Sequence, residues 1–173
     1  MYVLSKDIDH LEYEEFKVKA DEYRQYLDSI KDKLSLSPKD FIFEDWYNEP
    51  NSHKCPHDSW LDRLVVSEDS ESTVQIELRL LGAYHDGFIT FRYSGVQYYN
   101  LARHESSIVE SSHGDLRYQE FRLDSDGNVI HEFDWYNLGE NGLFLIACRE
   151  IEYIWEPIPE GAIPDRKAEW EAK

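Results

Sequence analysis

The chain has 173 residues, of which 36 are acidic and 18 are basic, so its formal net charge at pH 7 is −18. Hydrophobic residues make up 41% and aromatic residues 14%, which is a content that excludes a disordered chain. No apolar run approaches the roughly 20 residues of a membrane-spanning helix, and the N-terminus shows no pattern of a secretory signal. We therefore expect one folded domain, residues 1–173, in the cytoplasm and without a membrane segment.

The charge also bears on the kind of partner. Direct binding to nucleic acid or to a membrane surface uses clusters of Lys and Arg, and the sequence contains no such cluster. We therefore expect neither kind of binding. A strongly negative surface instead attracts a basic protein and accelerates its association, although acidity can also serve solubility alone.

Residues 10–34 carry the one strong helical pattern. Apolar side chains recur at steps of three and four, which places them on one face of an amphipathic helix: Phe16, Ala20, Tyr23, Leu27, Ile30 and Leu34. Asp7 or Asp9 is the candidate N-cap, since Glu12 follows Asp9 by three residues as in a capping box. Pro38 is expected to end the helical run, because proline disfavours helical geometry in the residue before it.

From about residue 40 to residue 156, apolar and polar residues alternate, as is typical of half-buried strands. The strands predicted from this alternation are 40–46, 61–67, 73–82, 88–94, 96–102, 117–123, 129–136, 143–148 and 151–155. Turn signals separate them at 85–87, 94–95 and 124–127. Short turns without intervening helices predict antiparallel pairing, with the strands at 73–102 forming a meander.

The predicted fold is therefore α+β. One N-terminal amphipathic helix packs on a mainly antiparallel, meander-rich sheet of about eight strands, arranged as a curved sheet, a half-barrel or a sandwich. Residues 157–173 form a Pro-rich C-terminal extension, in which 165–172 is expected to add one or two helical turns. The tetrapeptide at 45–48, Asp-Trp-Tyr-Asn, recurs at 134–137, and we interpret both copies as strand ends where an aromatic pair packs.

The densest group of reactive side chains is the stretch 53–58, His-Lys-Cys-Pro-His-Asp. In extended backbone His53, Cys55 and His57 would point to one side, and imidazole and thiolate are zinc ligands. They form the candidate metal site of a metal-dependent enzyme or metal-binding domain, with zinc as cofactor. Because Pro56 interrupts strand geometry, a polar loop is the favoured interpretation, and no cofactor is expected.

The sequence contains no nucleophile elbow and no phosphate-binding loop, so no catalytic residue is assigned. His131 falls on the apolar face of its strand and is expected to be a satisfied core residue. Cys148 lies in an apolar run, where a buried thiol is inert. The polar face of the predicted sheet should carry cross-strand ion pairs on a solvated surface, and its members are Glu77, Arg79, Arg92, Gln97, Tyr99, Arg117 and Gln119.

We interpret the chain as a non-catalytic protein-binding domain that binds a basic protein partner. In size and acidity it is similar to small acidic immunity proteins, which neutralise a toxin by covering it, although no motif carries this likeness. The candidate binding residues, expected on loops at one end of the sheet with their aromatic rings exposed, are Glu44, Asp45, Trp46, Tyr47 and Glu49. The alternatives are the metal site at residues 53–57 and a small-ligand cavity in an aromatic-rich sheet.

Overall fold

The structure is a computed structural model that describes residues 11–102, 112–137, 142–159 and 162. Its helices are Tyr13–Ile30 (α1) and Leu36–Ile42 (α2), and 3-10 turns span Lys31–Lys33 and Asp45–Asn48. Its strands are Trp60–Glu68 (β1), Val74–Leu81 (β2), Gly87–Ser94 (β3), Tyr98–Ala102 (β4), Leu116–Leu123 (β5), Val129–Trp135 (β6), Leu143–Cys148 (β7) and Glu150–Pro157 (β8). Helices precede strands along the chain, and every strand pair is antiparallel, so the predicted α+β class is confirmed.

The strands form two four-stranded sheets, sheet A with the order β1-β2-β3-β8 and sheet B with the order β4-β7-β6-β5. Both sheets share one bent ribbon, because β3 pairs with β8 and its continuation β4 pairs with β7. The ribbon bends at Gly95, which has a φ of 61°, a conformation that glycine adopts without steric cost. The meanders are therefore β1-β2-β3 and β5-β6-β7, and the predicted hairpin turn at 94–95 is wrong because that step is the bend between sheets. The described strands do not close into a barrel.

The predicted strand at 40–46 is wrong, because this stretch contains the end of α2 and the start of a 3-10 turn. Pro38 does not end the helical region either. It is the third residue of α2, and a proline is tolerated in the first turn because the N–H groups there have no intrahelical acceptor. The buried Phe41 and Ile42 explain the misreading, since a short apolar run fits a buried strand and a buried helix equally well.

Helix α1 is shorter than the predicted helix and begins one residue after Glu12. The N–H of Glu12 donates to the Glu15 carboxylate over 3.2 Å, so Glu12 rather than Asp9 occupies the N-cap of the capping box. The predicted cap residues Asp7 and Asp9 lie outside the described residues, as does the predicted helical stretch 165–172. Neither described helix has the length and apolar character needed to cross a membrane.

The helices cover the outer edges of β5 and β8, where backbone groups would otherwise lack a neighbouring strand. On β5, the N–H of Phe121 donates to the Tyr23 hydroxyl over 2.6 Å, and the N–H of Leu123 donates to the Tyr26 hydroxyl over 3.0 Å. On β8, the hydroxyl of Ser37 in α2 donates to the Ile151 carbonyl over 2.8 Å. Both helices are thereby fixed relative to the sheets.

The inner faces of the two sheets share one hydrophobic core with the helices. Phe91 of β3 lies with its ring centroid 6.4 Å from that of Phe133 of β6. Phe41 of α2 contacts both sheets, since its ring lies 6.1 Å from Phe91 and 5.8 Å from Phe121 of β5. Leu27 and Ile30 of α1 are buried in the same core. The chain segment that follows α2 is therefore attached directly to the core.

Candidate binding surface

The predicted binding residues lie on the segment that leaves α2 and passes through the 3-10 turn Asp45–Asn48. We call residues 40–49 the acidic segment. Four of its side chains are exposed carboxylates that form no ion pair with any base in the part of the chain that the structure describes: Asp40, Glu44, Asp45 and Glu49. The first copy of the repeated tetrapeptide is therefore a helical turn and not the strand end that we expected.

The two aromatic residues of the tetrapeptide within the acidic segment have different roles. Tyr47 is only 2% exposed, and its hydroxyl donates to Gln119 Oε1 over 2.9 Å, so the expectation of an exposed ring is wrong for this residue. Trp46 is half-buried, with its ring centroid 5.0 Å from that of Tyr153. The second copy of the tetrapeptide contributes Trp135, which is buried at 1% exposure and has no surface to offer a partner. Trp46 is therefore the accessible aromatic residue of the first tetrapeptide, whereas Tyr136 of the second is 59% exposed but lies outside the acidic segment.

A cation already lies above the ring of Trp46. The ammonium group of Lys54 is 5.7 Å from the ring centroid, and the Lys54 carbonyl accepts a hydrogen bond of 2.6 Å from the Tyr153 hydroxyl. A cation within about 6 Å of an indole ring is attracted by its electron-rich face. The outer face of Trp46 is thus oriented and accessible enough to hold a basic group.

The predicted metal ligands are not brought together. The backbone makes consecutive turns here, with the N–H of Cys55 donating to the Ser52 carbonyl over 3.0 Å and that of Ser59 donating to the Pro56 carbonyl over 3.1 Å. These turns take the place of the extended backbone in which the three side chains would point to one side. Pro56 is the first residue of the second turn.

Each of the three side chains has its own partner. His53 Nδ1 lies 2.5 Å from Asp86 Oδ2, and His57 Nδ1 lies 3.1 Å from Asp58 Oδ1. The Cys55 thiol is buried and donates to a backbone carbonyl over 3.1 Å, and burial raises its pKa. Within the described residues, no group of three or more His, Cys, Asp or Glu side chains is placed to hold a metal ion.

His131 is the centre of a buried hydrogen-bond network, as expected of a satisfied core histidine. Its Nε2 lies 2.8 Å from Gln119 Oε1, which also accepts from Tyr47, so Nε2 carries the proton. Its Nδ1 accepts from the Tyr93 hydroxyl over 3.0 Å. Burial lowers the pKa of His131 well below its ordinary value. Gln119 points into the core, so its predicted place on the polar face is wrong.

The outer face of sheet A carries the predicted cross-strand ion pairs. Glu77 of β2 lies 2.5 Å from Arg63 of β1 and 3.3 Å from Arg92 of β3, and Arg92 also approaches Glu152 of β8 at 3.6 Å. The hydrogen bond from Arg63 is the main reason that the pKa of Glu77 is lowered. This face pairs its charges, unlike the acidic segment.

Sequence reasoning missed two groups of polar residues. Glu120 and Glu132 are cross-strand neighbours in sheet B and both are buried, with Glu132 paired to Arg122 at 2.5 Å. In an alternating sequence, a polar residue on the outer face of a sheet looks the same whether it is exposed or buried, so the burial of these two residues could not be predicted. Lys33 and Arg149 line a common pocket, although 115 positions separate them in the sequence. No local motif connects them.

No protein-family model, curated protein or solved structure matches this chain. The acidic segment combines exposed carboxylates with a half-buried tryptophan that packs on Tyr153 and faces Lys54. Such a surface suits binding of a cationic protein, because carboxylates attract it and an aromatic ring anchors it.

Proposed function

We propose that the chain is a non-catalytic protein-binding domain whose acidic segment binds a basic protein, in the manner of an inhibitor or immunity protein. One observation carries the proposal. Four exposed carboxylates that lack a base partner among the described residues share the ten-residue segment that also holds the half-buried Trp46. The binding residues are Glu44, Asp45, Trp46 and Glu49, and Tyr47 fixes them to the core.

The rigidity of this surface supports the proposal. Trp46 packs against Tyr153 at 5.0 Å and against Tyr47 at 5.8 Å, and Tyr47 in turn packs against Phe41 at 5.2 Å. Binding orders side chains at an interface, and each side chain that is already ordered reduces that entropic cost. Tryptophan is also among the residues most enriched at energetically dominant interface positions.

The charge of the segment sets the chemistry of the partner. Carboxylates without an intramolecular base are available to lysine and arginine side chains of another protein, and the net charge of −18 adds a long-range attraction. The intramolecular contact of Lys54 with the Trp46 ring, at 5.7 Å, supports a cation-binding role for this ring. An arginine of the partner would displace Lys54 and stack on the ring.

The experiment is a retention assay with immobilised protein and extract of the native host, at low and at moderate salt. Asp45→Lys reverses one charge within the acidic segment. Glu71→Lys makes the same change of charge on the exposed turn between β1 and β2, so the two variants have equal net charge. We expect the parent and Glu71→Lys to retain a basic protein that Asp45→Lys retains at least tenfold less, with all retention weaker at the higher salt.

Equal retention by the two variants would contradict the proposal, because net charge alone would then explain binding. Absence of any retained basic protein at low salt would contradict it as well. Trp46→Ala is a third variant with no change of charge. Its loss of retention would separate the aromatic contact from the electrostatic one, and we expect at least a tenfold loss, since tryptophan truncation at an interface centre commonly costs more than about 1.4 kcal/mol.

A further inference from the structure

A pocket of about 380 Å³ lies beside the bend of the ribbon, on a different part of the surface from the acidic segment. We call it the bend pocket. Its polar and charged lining includes Lys33, Ser35, Gln97, Asp126, Asn128 and Arg149. Its volume falls within the range of about 300–1,000 Å³ that is usual for small-molecule sites.

Two cations of the bend pocket have no anionic partner among the residues that the structure describes. Arg149 is the one arginine in the described ranges without an ion pair, since the other six each lie within 4 Å of a carboxylate. Lys33 forms no ion pair in those ranges either. In a chain with twice as many acids as bases, an unpaired arginine and an unpaired lysine in one pocket leave two positive charges available to a ligand.

The fold holds Arg149 at this place. Its backbone N–H donates to the Ser94 carbonyl over 3.2 Å, and its side chain runs along Gly95, where an added Cβ would lie only 3.2 Å from the Arg149 Cβ. The adjacent carboxylate, that of Glu150, accepts a hydrogen bond of 2.7 Å from the Ser35 hydroxyl and does not pair with Arg149. The guanidinium group is therefore positioned without being neutralised.

The pocket also offers hydrogen-bond acceptors. Asp126 is the one acidic residue that lines it. The amide nitrogen of Gln97 already donates to the Gly95 carbonyl over 3.0 Å, and that of Asn128 donates to a carboxylate oxygen over 2.9 Å. Their amide oxygens remain available as acceptors. A ligand that fits this set carries an anionic group for the cations and hydroxyl groups for the acceptors.

We propose that the bend pocket binds a small polyhydroxylated anion, with its phosphate or carboxylate group on Arg149 and Lys33 and its hydroxyl groups donating to Asp126 and the amide oxygens. Two cations and one carboxylate line the pocket, and two further carboxylates, those of Glu150 and Asp124, accept hydrogen bonds from its lining residues Ser35 and Asn128. The anionic group is therefore held by direct contact with Arg149 and Lys33 and not by a net positive charge of the surroundings, while salt screens the more distant acids.

The test is calorimetric titration of the full chain at a constant ionic strength of about 0.15 M, with four probes. Glucose 6-phosphate and gluconate carry both features, inorganic phosphate lacks the hydroxyl groups, and glucose lacks the charge. We expect at least one of the first two to bind with a Kd of about 1 mM or lower, and phosphate and glucose to bind at least tenfold more weakly. The tighter of the two anions identifies the headgroup as phosphate or carboxylate.

Variants assign the binding to the pocket. Arg149→Gln and Lys33→Gln are each expected to raise the Kd at least tenfold, whereas Lys17→Gln, which removes an exposed lysine of α1, is expected to change it less than twofold. The proposal is overturned if neither polyhydroxylated anion binds at 10 mM, roughly tenfold above the expected Kd, or if glucose binds equally well. It is also overturned if Lys33→Gln, an exposed change outside the core, binds like the parent.

Discussion

The outer face of sheet A and the acidic segment are both charged surfaces, but they differ in whether their charges form ion pairs. On sheet A, Glu77 lies between Arg63 and Arg92 of the two neighbouring strands. On the acidic segment, Glu44 and Asp45 have no base partner in the described chain. Strand register places opposite charges about 5 Å apart, whereas a helical turn at the surface has no second strand beside it. Glu44 and Asp45 therefore lack, within the described chain, the cross-strand partners that Glu77 has.

The two surfaces nevertheless rest on the same core. Phe41, a buried residue of the acidic segment, contacts Phe91 of the inner face of sheet A at 6.1 Å. Tyr47 of the acidic segment reaches His131 of sheet B through Gln119. Because both surfaces share this core, a change in the core tests whether they depend on it equally. We expect such a change to destabilise the acidic segment more than the outer face of sheet A.

The largest expected effect comes from Phe41→Ala, which removes the support of the acidic segment. The ring is 2% exposed and contacts four other aromatic rings. We expect the free energy of unfolding to fall by about 3–5 kcal/mol, as is usual when a buried phenylalanine is truncated. Urea denaturation measures this change, and hydrogen exchange should show faster exchange of the amides of residues 44–49 than of β2.

The matched control for this variant is Leu36→Ala in the same helix. Leu36 is 79% exposed, so its truncation removes no buried contact, and we expect a change within about 0.5 kcal/mol. A loss of similar size in both variants would show that the helix, and not the ring of Phe41, supports the acidic segment.

The next effect concerns pH and His131. Burial lowers the pKa of His131 well below the 6.5 of an exposed histidine, so below pH 6.5 the unfolded chain takes up a proton that the folded chain does not. Stability from this group is therefore present above pH 6.5 and is lost as the pH falls below it, by up to about 1.4 kcal/mol per pH unit. The Tyr93 hydroxyl is the titratable group that contacts it directly, and the Tyr47 hydroxyl lies beyond Gln119.

The measurement is the free energy of unfolding between pH 7.5 and 5 for the parent and for His131→Gln, which leaves every carboxylate in place. Carboxylates titrate equally in both proteins, so the difference between their slopes isolates His131. We expect the parent to lose more stability than the variant on acidification. Parallel curves would mean that His131 binds a proton in the folded state.

The smallest effect compares one carboxylate from each surface. Glu77→Gln removes the shared partner of Arg63 and Arg92, and we expect a loss of roughly 0.2–1 kcal/mol that shrinks at high salt. Glu44→Gln removes a carboxylate with no base partner, so we expect no loss. The ratio of unfolding free energies at low and high salt is the readout. A greater loss for Glu44→Gln would reverse the comparison between the two surfaces.

Local patterns predicted much of the fold because the relevant contacts follow the period of the element. The spacing of Leu27 and Ile30 placed them on the buried face of α1, and alternation placed His131 and Phe133 on the inner face of sheet B. Cys148 likewise proved buried, and burial raises the pKa of its thiol to about 12. Each of these positions depends on the period of its own element.

The segment from residue 36 to residue 58 was less predictable, because its structure depends on contacts with distant strands. The alternation of residues around Phe41 fits a strand. In the structure Phe41 belongs to a helix, and from there its ring contacts Phe91 and Phe121. The candidate metal ligands depend on the backbone in a related way. Their side chains point the same way only in extended backbone, whereas residues 52–55 and 56–59 form turns.

The sequence by itself determined the class of the fold, the excess of negative charge, the long helix and most strands, because each follows from local period and composition. Tertiary structure decided which charges are paired, since Glu77 finds its arginines only through strand register. It also decided that Tyr47 is buried and Trp46 only half-buried. It placed Lys33 and Arg149 in one pocket at the bend of the ribbon. These features depend on which distant segments become neighbours, and no local pattern carries that information.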